Sequence, residues 1–192
     1  LSILHHRFST GKDVNDRVYT TSEEIIDTQL PVMHKFLNTL GALVNLKNFP
    51  FHVEVRIDKN GTIIPIEVNP MRFGGWCTTA DLSYFAYGFN SYQYFLNGTK
   101  PNWKELFEKG KNKKYSLILL DNNSGIPESN IASFDYELLL SEFEIPLELR
   151  KVDYNEYPFF GMVFVETSLG NEKELDQILT SDLKKYIKVK NN

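Results

Sequence analysis

The sequence predicts an α+β fold, an antiparallel or mixed sheet with flanking helices, on three observations. Runs such as FHVEVRI and TIIPIEV alternate apolar and other residues with the period of two that marks half-buried strands. Longer stretches such as TTSEEIIDTQLPVMHKFLNTLGALVNL carry helical spacing and are interspersed with the strands. The 192 residues, 42% hydrophobic with 14 Phe and 10 Tyr, hold enough apolar area for one domain or two small ones, which excludes a disordered chain.

Taken in order, LSILHHRF reads as a strand and STGKDVND as a polar turn. In the long helical stretch, Thr21 and Glu24 have the spacing of a capping box, and Pro31 predicts a kink or two consecutive helices. FHVEVRI and TIIPIEV are strands joined by DKNG. TTADLSYFAYGFNSYQYFLNG is helical in two pieces divided near Gly88 and Asn90, and PNWKELFEKG adds a short helix with Pro101 near its start. The basic stretch KGKNKK (109–114) is the expected linker, dividing residues 1–110 from residues 111–192. Beyond it come the strand YSLILL, the loop DNNSGIPESN, a helix around DYELLLSEF, strands near PLELRKV and FFGMVFVET, and closing helices over NEKELDQILTSDLKKYI. This second part reads as a small α+β unit.

The totals narrow the function. A net charge of −4 argues against a nucleic-acid surface. No run approaches the roughly 18 apolar residues of a membrane span. A single cysteine, Cys77, excludes an internal disulfide framework and points to a reducing cytoplasm. The chain opens on Leu1, inside an expected strand, which reads as a piece of a longer protein.

The hairpin carries the chemistry. Asn60-Gly61 between alternating runs is a hairpin turn signal, because a type I′ turn needs positive φ at both central residues. That turn places Glu54 opposite Glu67 and His52 opposite Asn69. A four-residue loop keeps the same faces together, whereas a three-residue loop puts the two sets on opposite faces. In the even registers, Phe51, Val53, Val55, Ile57, Ile64, Ile66 and Val68 form a core surface. His52, Glu54, Arg56, Pro65, Glu67 and Asn69 form the other face. Like charges directly opposite are destabilising, so two facing carboxylates need a cation or a proton between them. Mg²⁺ meets this need, since it favours carboxylate and carbonyl oxygens and is often shared with phosphates. The plainer alternative is a solvated face on which Arg56 neutralises one Glu. The segment NPMRFGGW that follows has no purpose in such a strand.

An acidic residue on one strand, a hairpin, then Glu-x-Asn-Pro with an Arg and glycines resembles the metal-binding end of the ATP-grasp superfamily. Here these are Glu54, Glu67-Val68-Asn69-Pro70, Arg72 and Gly74-Gly75, with DVNDRVYTTSEEII upstream and PMRFGGWCTTADL downstream. The resemblance covers roughly residues 1–100 and implies the C-terminal half of an ATP-grasp fold with an appended α+β subdomain. It implies an ATP- and Mg²⁺-dependent carboxylate–amine or related ligase acting through an acyl phosphate. Glu54, Glu67 and Asn69 would hold Mg²⁺ or Mn²⁺, and Glu67 and Arg72 would be catalytic. Arg72, Gly74, Gly75, His52 and Arg56 would contact ATP or its phosphates. The partners implied are ATP, a small carboxylate and a nucleophile, with no nucleic acid or membrane and with room for a homodimer. The family's adenine pocket and phosphate-binding lysines lie upstream of this motif. Lys12, the only lysine before residue 35, sits in no lid pattern, so these residues alone are expected to be half of an ATP site and inactive. The alternative is a non-catalytic regulatory or scaffolding nucleotide-binding module.

Other candidates are weaker. His5 and His6 end the first strand, but adjacent strand residues face opposite ways, which disqualifies them as a metal pair. Cys77 reads as a packing thiol, because no neighbouring base would activate it. The aromatic series from Tyr84 to Phe95 reads as helix packing.

Overall fold

The computed structural model describes residues 2–9 and 16–191; Lys12 and most of the polar stretch 9–16 lie outside them. The described residues form two compact units. Their division does not follow one cut of the chain. Residues Ser22–Lys111, with residues 2–4, make one unit, and Asn112 onward, with the described part of His5–Thr21, makes the other.

β1 (His5–Arg7) and β2 (Val18–Thr21) pair antiparallel and belong to the second unit. The first expected strand is therefore short, with residues 2–4 outside it. α1 (Glu23–Leu43) follows as one 21-residue helix that runs through Pro31. This corrects the expectation of two consecutive helices: helix-forming residues on both sides carry the helix past a single missing N–H. Its cap also differs from expectation. Thr21 stays in the sheet opposite Tyr115, so Ser22 becomes the N-cap and its Oγ accepts from the Ile25 N–H at 3.2 Å.

β3 (Phe51–Ile57) and β4 (Ile63–Pro70) form a two-stranded antiparallel sheet. α2 (Thr78–Tyr87) and α3 (Ser91–Leu96) divide where expected. Gly88 closes α2 in the left-handed conformation, and the Asn90 side chain accepts from the Gln93 N–H at 3.0 Å. α4 (Trp103–Lys109) completes the unit. Its aromatic rings pack closely: Phe89 lies 4.9 Å from Trp103, and Tyr87 lies 5.4 Å from Phe107. Tyr87, Phe89 and Phe107 are buried, as helix packing requires, whereas Tyr84, Tyr92 and Phe95 remain exposed.

In the second unit β5 (Lys113–Asp121) runs through the centre. β6 (Ile131–Phe134) and α5 (Tyr136–Leu140) precede β7 (Ile145–Lys151) and β8 (Phe159–Ser168). α6 (Lys173–Thr180) and β9 (Ile187–Val189) end the chain. The main sheet has the order β1-β2-β5-β8-β7, every pair antiparallel, and β6 pairs with β9 in a small second sheet. β6 and β9 have no counterpart among the expected strands. Val18, Ile118, Leu120, Val163 and Val165 meet Phe134, Leu139, Leu175, Ile178 and Tyr186 in one core. The interior also holds polar groups, not all of them satisfied: Arg17 Nε and Nη1 have no hydrogen-bond partner among the described residues. Arg17, 1% exposed, contacts Asp121 at 3.1 Å, and buried Glu174 is bonded by Thr167 and by the Glu144 N–H at 2.6 Å.

Candidate active site

The hairpin brings the expected residues together by a route the sequence reading did not foresee. The Asp58 N–H donates to the Thr62 carbonyl at 3.0 Å, and the Gly61 N–H donates to the Asp58 carbonyl at 3.0 Å. The loop is thus Lys59-Asn60-Gly61, three residues long. Gly61 alone in it takes positive φ, at +79°, so no type I′ turn forms at Asn60-Gly61. The Asp58 carboxylate accepts from the Asn60 and Thr62 N–H groups, both at 2.8 Å, which holds this turn and lowers the Asp58 pKa.

An odd loop should separate the two polar sets, yet Glu54 lies opposite Glu67 and His52 opposite Asn69. The reconciliation is a β-bulge. Val55 pairs with Pro65 and Glu54 with Glu67, leaving Ile66 as an extra residue on β4. The bulge restores the register beyond it and reverses the residues before it. Ile64 now pairs with Arg56 on the polar side, and Pro65 pairs with Val55 on the apolar side, correcting the expected places of both. The apolar side is also not a core within this structure: Ile57 and Val68 are 41% and 46% exposed.

Around the two carboxylates the chemistry is mixed. His52 Nε2 donates to Glu54 Oε1 at 3.2 Å, so this histidine holds a carboxylate. Asn69 Nδ2 and Arg72 Nε are buried with no hydrogen-bond partner among the described residues. Buried donors are nearly always satisfied, and leaving one unpaired costs about 1–3 kcal/mol, so both are suited to an anionic oxygen. Glu54 and Glu67 are suited to a cation. The donor set therefore fits a divalent ion carrying phosphates. Among the described residues no three His, Cys, Asp or Glu side chains gather into a metal cluster. Arg56 shares the face of Glu54 through the alternation of β3.

The turn from β4 into α2 is held at several points. The Met71 N–H donates to the Pro50 carbonyl at 2.9 Å, and Phe73 packs edge-on against Tyr92 at 4.7 Å and Phe95 at 5.8 Å. Thr78 Oγ1 donates to the Gly75 carbonyl at 2.7 Å. Met71, Trp76 and Cys77 all take left-handed φ, at 62°, 50° and 62°. Such backbone persists only where surrounding structure imposes it. Cys77 is exposed, not packed inside; it accepts from the Tyr92 hydroxyl at 2.7 Å, and this bond pushes the Tyr92 pKa up to about 12.

The two glycines differ. Gly74 has φ +95°, and a Cβ there would lie 2.2 Å from Thr79 Oγ1 and 2.5 Å from Thr79 Cβ, whereas a Cβ on Gly75 would meet nothing. Gly74→Ala is expected to destabilise by about 2 kcal/mol or more, while Gly75→Ala stays within about 0.5 kcal/mol in urea unfolding. Equal effects would contradict this distinction.

His5 and His6 belong to the second unit. His6 stacks on Tyr19 at 4.0 Å and bonds the Asp16 carbonyl. Burial, with Arg7 nearby, lowers the His5 pKa. Neither histidine stands with the hairpin carboxylates in one unit. The sequence reading also missed Phe73 and Tyr92 as anchors of the turn and Ile66 as a bulge. Pro65 signalled the bulge, since proline within a strand is confined to edges, first positions and bulges.

A sequence model of the ATP-grasp domain matches residues 1–80. The likeness to the ATP-grasp domain family is carried by residues 1–80. Two solved structures share the fold. The L-amino acid ligase from Bacillus licheniformis aligns with a TM-score of 0.61 at 19% identity, over 100% of this chain and 50% of that one. The phosphoribosylglycinamide synthetase from Anaerococcus prevotii aligns with a TM-score of 0.62 at 14% identity, over 98% and 49%. The chain spans about half the length of these structures. No curated protein matches it. The α+β architecture expected from sequence is the one found, and no helix among the described residues is long and apolar enough to cross a membrane.

Proposed function

We propose that this chain supplies the metal- and phosphate-facing wall of an ATP-grasp ligase, an enzyme that joins a carboxylate to an amine or related nucleophile at the expense of ATP. The observation that carries this reading is the opposition of Glu54 to Glu67, with Asn69 beside them and His52 on Glu54. A surface with only a folding role would not place two carboxylates face to face.

Glu54, Glu67 and the Asn69 amide would hold Mg²⁺ or Mn²⁺. The ion, when bound, supplies charge neutralisation to the phosphoryl group being transferred. His52 keeps the Glu54 carboxylate oriented. Arg72 presents a guanidinium whose Nε lacks a partner, suited to a phosphate or to the substrate carboxylate. Gly74 allows the backbone to turn tightly beneath that anion, and the open space at Gly75 leaves room for it. The substrate carboxylate oxygen then bonds to the γ-phosphorus as ADP leaves. The nucleophile next attacks the acyl carbon, releasing phosphate and a proton.

Trapping tests this. The complete protein is incubated with ATP, Mg²⁺, a panel of small carboxylates and hydroxylamine. At least one carboxylate should yield ADP and a hydroxamate together. Tight ATP binding with no ADP release on any carboxylate would replace the ligase with a non-catalytic nucleotide-binding module.

A further inference from the structure

The extra residue in β4 bears on how the two carboxylates meet. Ile66 adds nothing obvious to a core, since its side chain is 56% exposed. A bulge leaves a residue outside the ladder and bends its strand, and bulges beside active sites re-aim a side chain. Here the residue following the bulge is Glu67 itself. The odd loop and the bulge also compensate each other, because an even number of residues separates Glu54 from Glu67. Either an even loop alone or an odd loop with one bulge puts the two opposite. Accommodation of proline is the competing explanation, as β7 has the same pattern, an irregularity just after Pro146.

Resting on the metal-site reading above, we infer that Ile66 is a positioning residue, whose inserted backbone unit aims Glu67 so that it and Glu54 hold one divalent ion. The side chain is dispensable and the insertion is not.

Two deletions of equal size separate the roles. Removing Lys59 shortens the loop to Asn60-Gly61 and leaves the bulge and every ladder pair in place. Removing Ile66 keeps the three-residue loop and the opposition of Glu54 to Glu67 but abolishes the bulge. The Ile66 deletion is made with Pro65→Val, which restores a ladder donor, and is compared with Pro65→Val alone. Binding of Mn²⁺ alone to each purified variant is read by the loss of the free-ion spin resonance signal, with circular dichroism confirming the fold.

Deletion of Lys59, Ile66→Ala and Pro65→Val should bind Mn²⁺ like the parent. Deletion of Ile66 should bind at least about tenfold more weakly, the usual penalty for losing a ligand's support. Equal affinity in the two deletions, or an equal loss in Ile66→Ala, would overturn the positioning role. Glu67→Gln is the control: parental Mn²⁺ binding unaffected by it would overturn the metal-site reading instead.

Discussion

Glu67→Gln in the complete protein is expected to lower ATP turnover by about a thousandfold while leaving the melting temperature unchanged or slightly raised. The activity arm follows from electrostatics: a group that stabilises transition-state charge in a preorganised site contributes about 10²–10³-fold, and a metal ligand acts at the upper end. Glutamine keeps the shape and one oxygen but removes the charge that balances the cation. The stability arm has the opposite sign. Glu67 sits directly across from Glu54, and like charges in that position are destabilising by a few tenths of a kcal/mol to about 1 kcal/mol. Removing one charge relieves the repulsion. Retained turnover would sink the assignment of Glu67. A fall of several degrees in melting temperature would instead make Glu67 a structural residue.

The second large effect is expected far from this site. Gly161→Ala should destabilise the second unit by about 3–5 kcal/mol, lowering its thermal transition by about 12 °C or more. Gly161 has φ +150° and pairs with Lys151, where the β5–β8 ladder is also irregular. A Cβ there would lie 2.3 Å from the Arg150 carbonyl oxygen and 3.3 Å from Lys151 Cα. These are backbone atoms, which no side-chain rotation can move aside. The alanine would force β7 off β8 and loosen the sheet edge there. Unchanged thermal unfolding of Gly161→Ala would show that the β7 edge yields at little cost.

Much of the architecture was legible because it is written in local chemistry. The period of two in FHVEVRI and TIIPIEV, and the Gly88 and Asn90 breaks, each predict structure from neighbours a few residues apart. Errors arose where a distant partner outweighed a local rule. Thr21 has the right spacing for a cap, but its ladder with Tyr115 keeps it in the sheet and passes the cap to Ser22. β6 and β9 are short and complete one another only across α5, β7, β8 and α6, which lie between them in the chain.

The site shows the same division. Residue types and order determined by themselves which groups are available: two acids, an amide, a histidine and an arginine followed by glycines. The opposition of Glu54 and Glu67 was predicted from an Asn-Gly turn that does not form. The correct pairing survived because a bulge at Ile66 offset the odd loop. Parity along a strand is a global count, and one inserted residue anywhere in the ladder reverses it. The sequence alone therefore determined the chemistry at hand. Only the folded hairpin decided which side each group faces, because register depends on the whole path between the carboxylates.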